Sequence, residues 1–254
     1  MSIQQILNFA PPVLFALFHL AEAVAPARRL PPSRGWRLRG LVWFLASGAL
    51  FANAPRLVAG WAANHHLLDI SSLGLWGAVP AVLGANLIGY GWHRLRHVTP
   101  LWRLHQLHHA AERLDISGAF MFHPLETVLV ALLFSLVSTF LLGASADAAA
   151  LAGTIGFFSA CFQHANIRTP RWLGYIVQRP ESHSVHHGRG IHAYNYTDLP
   201  IFDLLFGTFK NPERHEVETG FYDGASQRLG RLLLGVDVNS SKAAPAAAVS
   251  AVQN

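Results

Sequence analysis

Five apolar runs, separated by short polar segments, constrain what this chain can fold into more than any other feature of its sequence. They span residues 6–24, 41–54, 73–92, 125–142 and 148–162. A helix that crosses a bilayer needs about 20 predominantly apolar residues, so each run is a candidate for one crossing. Charged residues make up only 13% of the chain, against about 25% in soluble proteins. The sequence therefore predicts an all-α fold with five membrane-spanning helices.

The two ends of the chain give further expectations about its organisation. The first run has no basic segment before it, so we expect a membrane helix there rather than a cleaved signal peptide. Residues 236–254 are rich in Ala, Ser and Val and predict a disordered tail. Residues 1–235 are then expected to form a single integral-membrane domain. The only cysteine, Cys161, lies within an apolar run and is expected to be a small core residue.

The arginines predict how the helices are oriented in the membrane. Five crossings would place residues 28–39, residues 93–113 and the chain after His164 on one side, and that side carries nearly all of the arginines. Cytoplasmic segments carry an excess of Lys and Arg, so we expect these three segments to form a helical cap on the cytoplasmic face. The formal net charge of +5 then reflects orientation in the membrane, and no nucleic-acid partner is expected.

Histidines are concentrated in the segments that this topology places on the cytoplasmic face. Eleven of the 15 histidines lie between His93 and His192. Ten of them form one H-x-x-x-H motif, two H-x-x-H-H motifs and two single positions: His93 and His97; His105, His108 and His109; His183, His186 and His187; His123 and His164.

The spacing of these motifs has a direct physical meaning if they lie on helices. Residues three and four apart share a helix face, so both rings of an H-x-x-x-H pair can reach one ion. An H-x-x-H-H motif adds a third ring, turned by about 100°, that can serve a neighbouring ion. Imidazole binds zinc, copper, iron and nickel. Eight or more ligands exceed the four that close a structural zinc site, so the count predicts two metal ions.

A simpler explanation exists for any one of these motifs taken alone. A single histidine pair belongs to a protein core or to a pH-sensing surface more often than to a metal site. Three motifs and two single histidines on one predicted face favour metal binding instead.

The residues around the histidines carry a resemblance to a known family. The matching segments are residues 93–97, 101–109, 119–126, 162–168, 183–187, 195–196 and 203–208. Together they resemble the histidine boxes and closing signature of the fatty acid hydroxylase / sterol desaturase superfamily, over about residues 90–210. Two positions depart from that pattern. Arg168 stands where many relatives have a histidine, which His123 is expected to replace, and Thr197 stands where a glycine is common.

The resemblance implies a membrane-bound, non-haem di-iron oxygenase that hydroxylates an unactivated C–H bond of a lipid or sterol, with O2 as co-substrate. The implied ligands of the two iron ions are His93, His97, His105, His108, His109, His123, His164, His183, His186 and His187. His192, Asn195 and Asp203 are expected to support these ligands without binding iron. Carboxylates near the motifs, Glu126 among them, are further acceptors for imidazole N–H groups.

Other functions stay open on the same residues. A desaturase would use the same histidine boxes, and a non-enzymatic metal-binding membrane protein would also carry histidines. A transporter places its ligands near the bilayer midplane, whereas these histidines lie outside the apolar runs. No haem motif or dinucleotide-binding glycine motif is evident in the sequence, so we expect a separate electron-donor protein. We also expect a bacterial cell-membrane location and a hydrophobic substrate groove between the helices and the histidine cap.

Overall fold

The computed structural model describes residues 3–62, 64–98 and 100–239, and within these ranges every regular element is a helix. The α-helices are α1 (Ile3–Val24), α2 (Trp36–Asn53), α3 (Arg56–Ala62), α4 (Ala78–Val98), α5 (Trp102–His109), α6 (Pro124–Ser135), α7 (Ala146–His164), α8 (Pro180–His186), α9 (Pro200–Leu205) and α10 (Leu229–Leu233). A 3-10 helix, Ser71–Gly77, leads into α4, and a π-helical segment, Leu136–Leu141, continues α6. The all-α prediction is confirmed.

Four helical stretches are long and apolar enough to cross a membrane: Ile3–Val24, Trp36–Ala62, Ser71–Val98 and Pro124–Leu141. The side chains of α1 illustrate why these stretches need lipid. Six apolar residues of α1 each expose more than half of their surface: Ile6, Phe9, Val13, Leu17, Leu20 and Val24. A soluble monomer rarely exposes so continuous an apolar surface. The chain is therefore an integral membrane protein.

The fifth predicted crossing, residues 148–162, differs from the other four. It forms α7, a helix of 19 residues that is not among the four apolar stretches. It contains Asp147 in its first turn and ends in Gln163 and His164, and many of its other residues are small. Its alanines Ala148 and Ala152 pack against alanines of α4, whereas Ile155 and Phe158 on α7 remain exposed.

Helix α7 nevertheless returns towards the histidines from the far end of the bundle. The turn before it uses Gly143, whose φ of 57° favours glycine. The carbonyl of Leu68 lies so close to Gly143 that no side chain would fit there. Backbone hydrogen bonds of 2.8 Å from Leu67 to Phe140 and 3.1 Å from Leu68 to Leu141 join the two loops at this end.

The three arginine-rich segments meet at the opposite end, as the predicted topology requires. The side chain of Arg28 donates to the carbonyl of Glu216, and Arg39 donates to the carbonyl of Ser226 at 3.0 Å. Arg113 donates to the carbonyl of Pro31 at 2.6 Å. Residues 28–39 therefore contact both the segment before α6 and the chain after α7, and these segments form one cap over the bundle.

Two polar side chains fasten this cap at its edges. The carboxylate of Glu22, on α1, accepts the backbone N–H groups of Ile116 at 2.8 Å and Asn166 at 2.7 Å. The side chain of Gln106 donates to the carbonyl of Val236 at 2.7 Å and accepts from the N–H of Val238 at 2.9 Å. Residues 236–239, which the sequence assigned to the tail, thus pack on α5, while residues 240–254 lie outside the described part of the chain.

Candidate metal centre

Nine of the ten histidines predicted as ligands gather into two groups. The first group contains His93, His97, His105, His109 and His186. The second group contains His108, His164, His183 and His187. Within each group the ring nitrogens that face one another all lie within 4.8 Å. Each group therefore offers four or five nitrogen donors to one ion.

The structure divides each H-x-x-H-H motif between the two groups. The motif at residues 105–109 gives His105 and His109 to the first group and His108 to the second. The motif at residues 183–187 does the reverse. This division follows from helix geometry, because residues four apart share a face and the intervening third residue is rotated away from it.

The two groups are neighbours rather than separate sites. The rings of His109 and His187, one from each group, stack with centroids 4.3 Å apart and planes 16° apart. The rings of His183 and His186, again one from each group, stack with centroids 5.2 Å apart. Two ions held by these groups would share one buried compartment.

Hydrogen bonds show which ring nitrogens carry lone pairs in the first group. Nδ1 of His93 donates to the carbonyl of Tyr196 at 2.7 Å, and Nδ1 of His105 donates to the carboxylate of Glu126 at 2.7 Å. In a neutral ring, a hydrogen on Nδ1 leaves a lone pair on Nε2. The Nε2 atoms of His93 and His105 lie only 3.1 Å apart. Two lone pairs facing each other repel, and a cation that accepts both removes the repulsion.

The second group shows the same arrangement. Nδ1 of His164 donates to the carbonyl of Ala160 at 2.7 Å, which leaves the lone pair on Nε2. That Nε2 lies 3.1 Å from Nε2 of both His108 and His183. Metal–imidazole bonds are about 2.0–2.1 Å long, so two ligands at a right angle have nitrogens about 3 Å apart. The donor set therefore fits a metal ion.

Burial keeps the imidazoles in the form that binds metal. Desolvation is the largest cause that lowers the pKa well below its ordinary value in these rings of the cap: His105, His108, His109, His183, His186 and His187. The charge of Arg96 lowers the pKa of His105 further, and neighbouring imidazoles lower the others. The rings are therefore neutral at neutral pH, and only neutral imidazole has a lone pair for a metal.

A buried ion pair supports the first group. The carboxylate of Glu126, in the first turn of α6, contacts both the guanidinium of Arg96 and Nδ1 of His105. The side chain of Glu126 is 1% exposed, so water does not compete for it. Sequence reasoning identified Glu126 as one candidate acceptor among several, but it did not identify Arg96. The feature that could have identified Arg96 is its position between His93 and His97, near the end of a mostly apolar helix.

His123 does not join either group, contrary to the expectation that it replaces a ligand absent at Arg168. It is the residue before α6, where its Nδ1 accepts the N–H of Leu125 at 3.2 Å. Its Nε2 donates to the carbonyl of Leu233 at 3.0 Å. Both ring nitrogens of His123 are therefore hydrogen-bonded. Because Pro124 begins α6, the side chain of His123 caps the first turn of this helix.

His192 and Asn195 take different supporting positions. Nδ1 of His192 lies 3.2 Å from Nδ1 of His109, so one of the two rings donates to the other. Among the described residues, the side chain of Asn195 makes no hydrogen bond to a histidine ring. It donates to the carbonyl of Ser182 at 2.7 Å and accepts the N–H of Lys210 at 2.8 Å. Asn195 therefore ties α8 to the chain after α9.

Asp203 supports the first group through a loop rather than through a ring. Its carboxylate accepts the N–H groups of Tyr196 at 2.9 Å and Thr197 at 3.1 Å. It also accepts the hydroxyls of Thr197 at 2.8 Å and Thr208 at 2.6 Å. Because the carbonyl of Tyr196 is the acceptor for His93, Asp203 holds the loop that orients this ring.

An apolar cavity of about 540 Å³, partly open to the surface, lies between α4 and α7. Val82, Leu151 and Ile155 are among its lining residues, and Leu199 contributes from the cap. Leu199 lies three residues after Tyr196 in the chain. The ring centroid of Tyr196 lies 5.4 Å from the ring centroids of His93, His97 and His186. Leu199 therefore joins the cavity to the loop that carries Tyr196.

Metal content can distinguish His123 from the other histidines that the sequence predicts as ligands. We expect His164→Ala to lose at least half of the bound metal, because it removes a donor from a group of four. We expect His123→Ala to keep the wild-type metal content, because His123 contacts neither group. Elemental analysis of the two purified variants compares them directly. Equal metal loss in both variants would show that His123 is a ligand.

Comparison with known proteins agrees with the geometry. The sequence profile of the fatty acid hydroxylase family matches residues 78–208. This range contains all nine grouped histidines. An ornithine lipid hydroxylase from Rhizobium tropici is 34% identical over 146 residues, covering 54% of this chain and 44% of its own. The alkylglycerol monooxygenase of Homo sapiens is 29% identical over 151 residues, covering 58% and 34%.

The chain thus spans less than half the length of these curated relatives. No solved structure matches it. The family profile nevertheless covers more than half of the chain and contains both histidine groups. This chain belongs to the fatty acid hydroxylase family.

Proposed function

We propose that this protein is a membrane-bound di-iron oxygenase that hydroxylates a C–H bond of a lipid with O2. The observation that carries the proposal is the pair of adjacent, buried imidazole groups whose lone pairs converge. Membership of the fatty acid hydroxylase family supports it. The two similar proteins described above are named a hydroxylase and a monooxygenase, which favours hydroxylation over desaturation.

The proposed metal content is two iron ions, one in each group. Imidazole is a suitable ligand for iron, and four or five rings in each group are enough for one ion. When bound, iron would supply O2 activation and the oxidation of a C–H bond. The balanced reaction converts R–H, O2, two electrons and two protons into R–OH and water. We propose that a separate donor protein supplies the two electrons.

The protein's own residues prepare the groups for this chemistry. The carbonyl of Tyr196 and the carboxylate of Glu126 keep a proton on Nδ1 of His93 and His105, so that both Nε2 atoms are free to bind metal. The carbonyl of Tyr194 does the same for His186 at 2.7 Å. Burial of these rings excludes water from the compartment, which limits side reactions of activated oxygen.

We propose that the hydrocarbon chain of the lipid lies in the cavity between α4 and α7. The cavity is lined by apolar side chains and belongs to the membrane-spanning part of the chain. A lipid tail can enter it from the bilayer without crossing water. Leu199 lines the cavity, and Tyr196, three residues earlier, packs against His93, so this loop would guide the tail towards the metals.

Lipid analysis tests the proposed reaction. Cells that express the protein under 18O2 are expected to contain a lipid that is heavier by one labelled oxygen atom. This product should be absent without the protein and with His108→Ala, which removes a donor from the second group. An alkene product would indicate a desaturase. Exchangeable zinc without O2 consumption would indicate a metal-binding protein that is not an oxygenase.

A tryptophan in the cavity tests where the lipid tail binds. Val82→Trp should fill the space between α4 and α7 and reduce product formation at least fivefold, while the metal content stays at the wild-type level. Leu87→Trp is the matched control, because Leu87 is also on α4 but is 47% exposed and does not line the cavity. Wild-type turnover by Val82→Trp would exclude this cavity as the binding site.

We propose that the histidine cap faces the cytoplasm of a bacterial cell, because the arginine-rich segments lie at the same end of the bundle. Single-cysteine labelling tests the orientation, since the natural Cys161 is buried. In intact cells, a membrane-impermeant maleimide should label Ser72→Cys at the far end but not Pro32→Cys in the cap. The reverse pattern would place the cap outside the cell.

A further inference from the structure

Helix α9 belongs to the cap, yet the side that it exposes is apolar. Ile201, Leu204 and Leu205 share one face of the helix, because they are three and four residues apart, and all three are exposed. The other face carries Asp203, whose carboxylate is buried and accepts hydrogen bonds from the cap loop. A surface helix of a water-soluble protein has its apolar face inward and its charged residues in water. The polarity of α9 is therefore inverted.

A second exposed apolar segment lies beside α9. The 3-10 helix Arg171–Tyr175 packs next to α9, and the N–H of Gln178, just after it, donates to the carbonyl of Asp198 at 2.7 Å. Trp172 and Ile176 in this segment each expose more than half of their surface. The exposed apolar residues of the two neighbouring elements are together called the α9 surface: Trp172, Ile176, Ile201, Leu204, Leu205 and Phe206.

The contacts of α9 with α4 show its depth relative to the candidate crossing Ser71–Val98. The N–H of Leu199, the residue before α9, donates to the side chain of Asn86 on α4 at 3.0 Å. After the other end of α9, the ring of Phe206 stacks on that of Tyr90 with centroids 4.7 Å apart. Helix α9 therefore lies beside a part of α4 that is inside the candidate crossing and precedes the first grouped histidine.

The exposed apolar surface of α4 continues onto α9. Val79, Leu83 and Leu87 are exposed along α4 at four-residue intervals, so they share one face of this helix. Leu199, directly before α9, lines the cavity together with Val79 and Leu83. The medium that solvates the apolar side chains of α4 is therefore also next to α9.

Aromatic and basic side chains border the α9 surface. Lys210 lies over the ring of Tyr194, with its Nζ 4.8 Å from the ring centroid. Arg94 lies over the ring of Tyr90, with its Cζ 5.7 Å from the centroid. Trp and Tyr are enriched at the boundary between lipid and water, and Lys and Arg extend from that boundary towards the headgroups. This border favours a lipid surface over a protein partner.

We propose that α9 and the 3-10 helix Arg171–Tyr175 are embedded in the bilayer interface, with the α9 surface in contact with the acyl chains of the nearer leaflet. The cap is then partly inserted into the membrane rather than lying above it. Because Tyr90 is only three residues before His93, the inserted part holds the first histidine group close to the level of the lipid. The inference depends on the membrane location of the chain and not on the proposed hydroxylation.

Fluorescence quenching measures this contact directly. The metal-loaded protein, in phosphatidylcholine nanodiscs that leave both faces open to solvent, carries one small fluorophore at Trp172→Cys, Ile201→Cys or Leu205→Cys. Val217→Cys is the matched control, because Val217 is an apolar cap residue outside the α9 surface and is 92% exposed. The quenchers are a nitroxide on the lipid acyl chain and iodide in water. We expect the ratio of lipid to iodide quenching to be at least threefold higher at the three surface positions than at Val217.

Two results would overturn the proposal. Iodide quenching at Ile201 and Leu205 as strong as at Val217 would place the α9 surface in water. Protection from both quenchers would show that protein, such as a second copy of the chain, covers it. Each variant replaces an exposed side chain, and unchanged metal content shows that the cap is still folded; if one variant does not fold, the other two decide. Quenching by lipid supports the proposal whether or not a hydroxylated product forms.

Discussion

The structure is organised around two sets of converging imidazole nitrogens, whose mutual repulsion a bound cation would relieve. Neutral imidazoles in two adjacent groups face one another through nitrogens 3.1 Å apart, and hydrogen bonds at Nδ1 place lone pairs on the facing Nε2 atoms of His93 and His105. Such an arrangement is unfavourable without a metal and favourable with one. Metal binding would therefore be coupled to folding of the cap, because each group draws its rings from helices that are distant in sequence.

The surrounding fold serves mainly to bring these rings together and to keep their protons in place. The histidines lie near the ends of α4, α5, α7 and α8, where the bundle meets the cap. Glu126 reaches them from the first turn of α6, and Asp203 holds the loop whose carbonyl orients His93. A carboxylate bound to Nδ1 also makes an imidazole a stronger ligand. Groups outside the proposed ligand set would thus take part in determining metal affinity.

The membrane imposes the second constraint on the molecule. Apolar side chains of α1 are exposed along its length, and the cavity between α4 and α7 is lined by apolar side chains. Both features are favourable against lipid and unfavourable in water, so the bilayer determines which surfaces these helices can expose.

The sequence by itself determined the helical class, the apolar helices, the histidine motifs and the way each H-x-x-H-H motif serves two groups. These properties follow from periodicity along one helix, which is local. Only the tertiary structure decided that His123 caps α6, that the alanines of α7 pack against α4, and that Arg96 and Glu126 pair beside His105. Those outcomes depend on which helix ends meet, and that is set by packing between residues far apart in the chain.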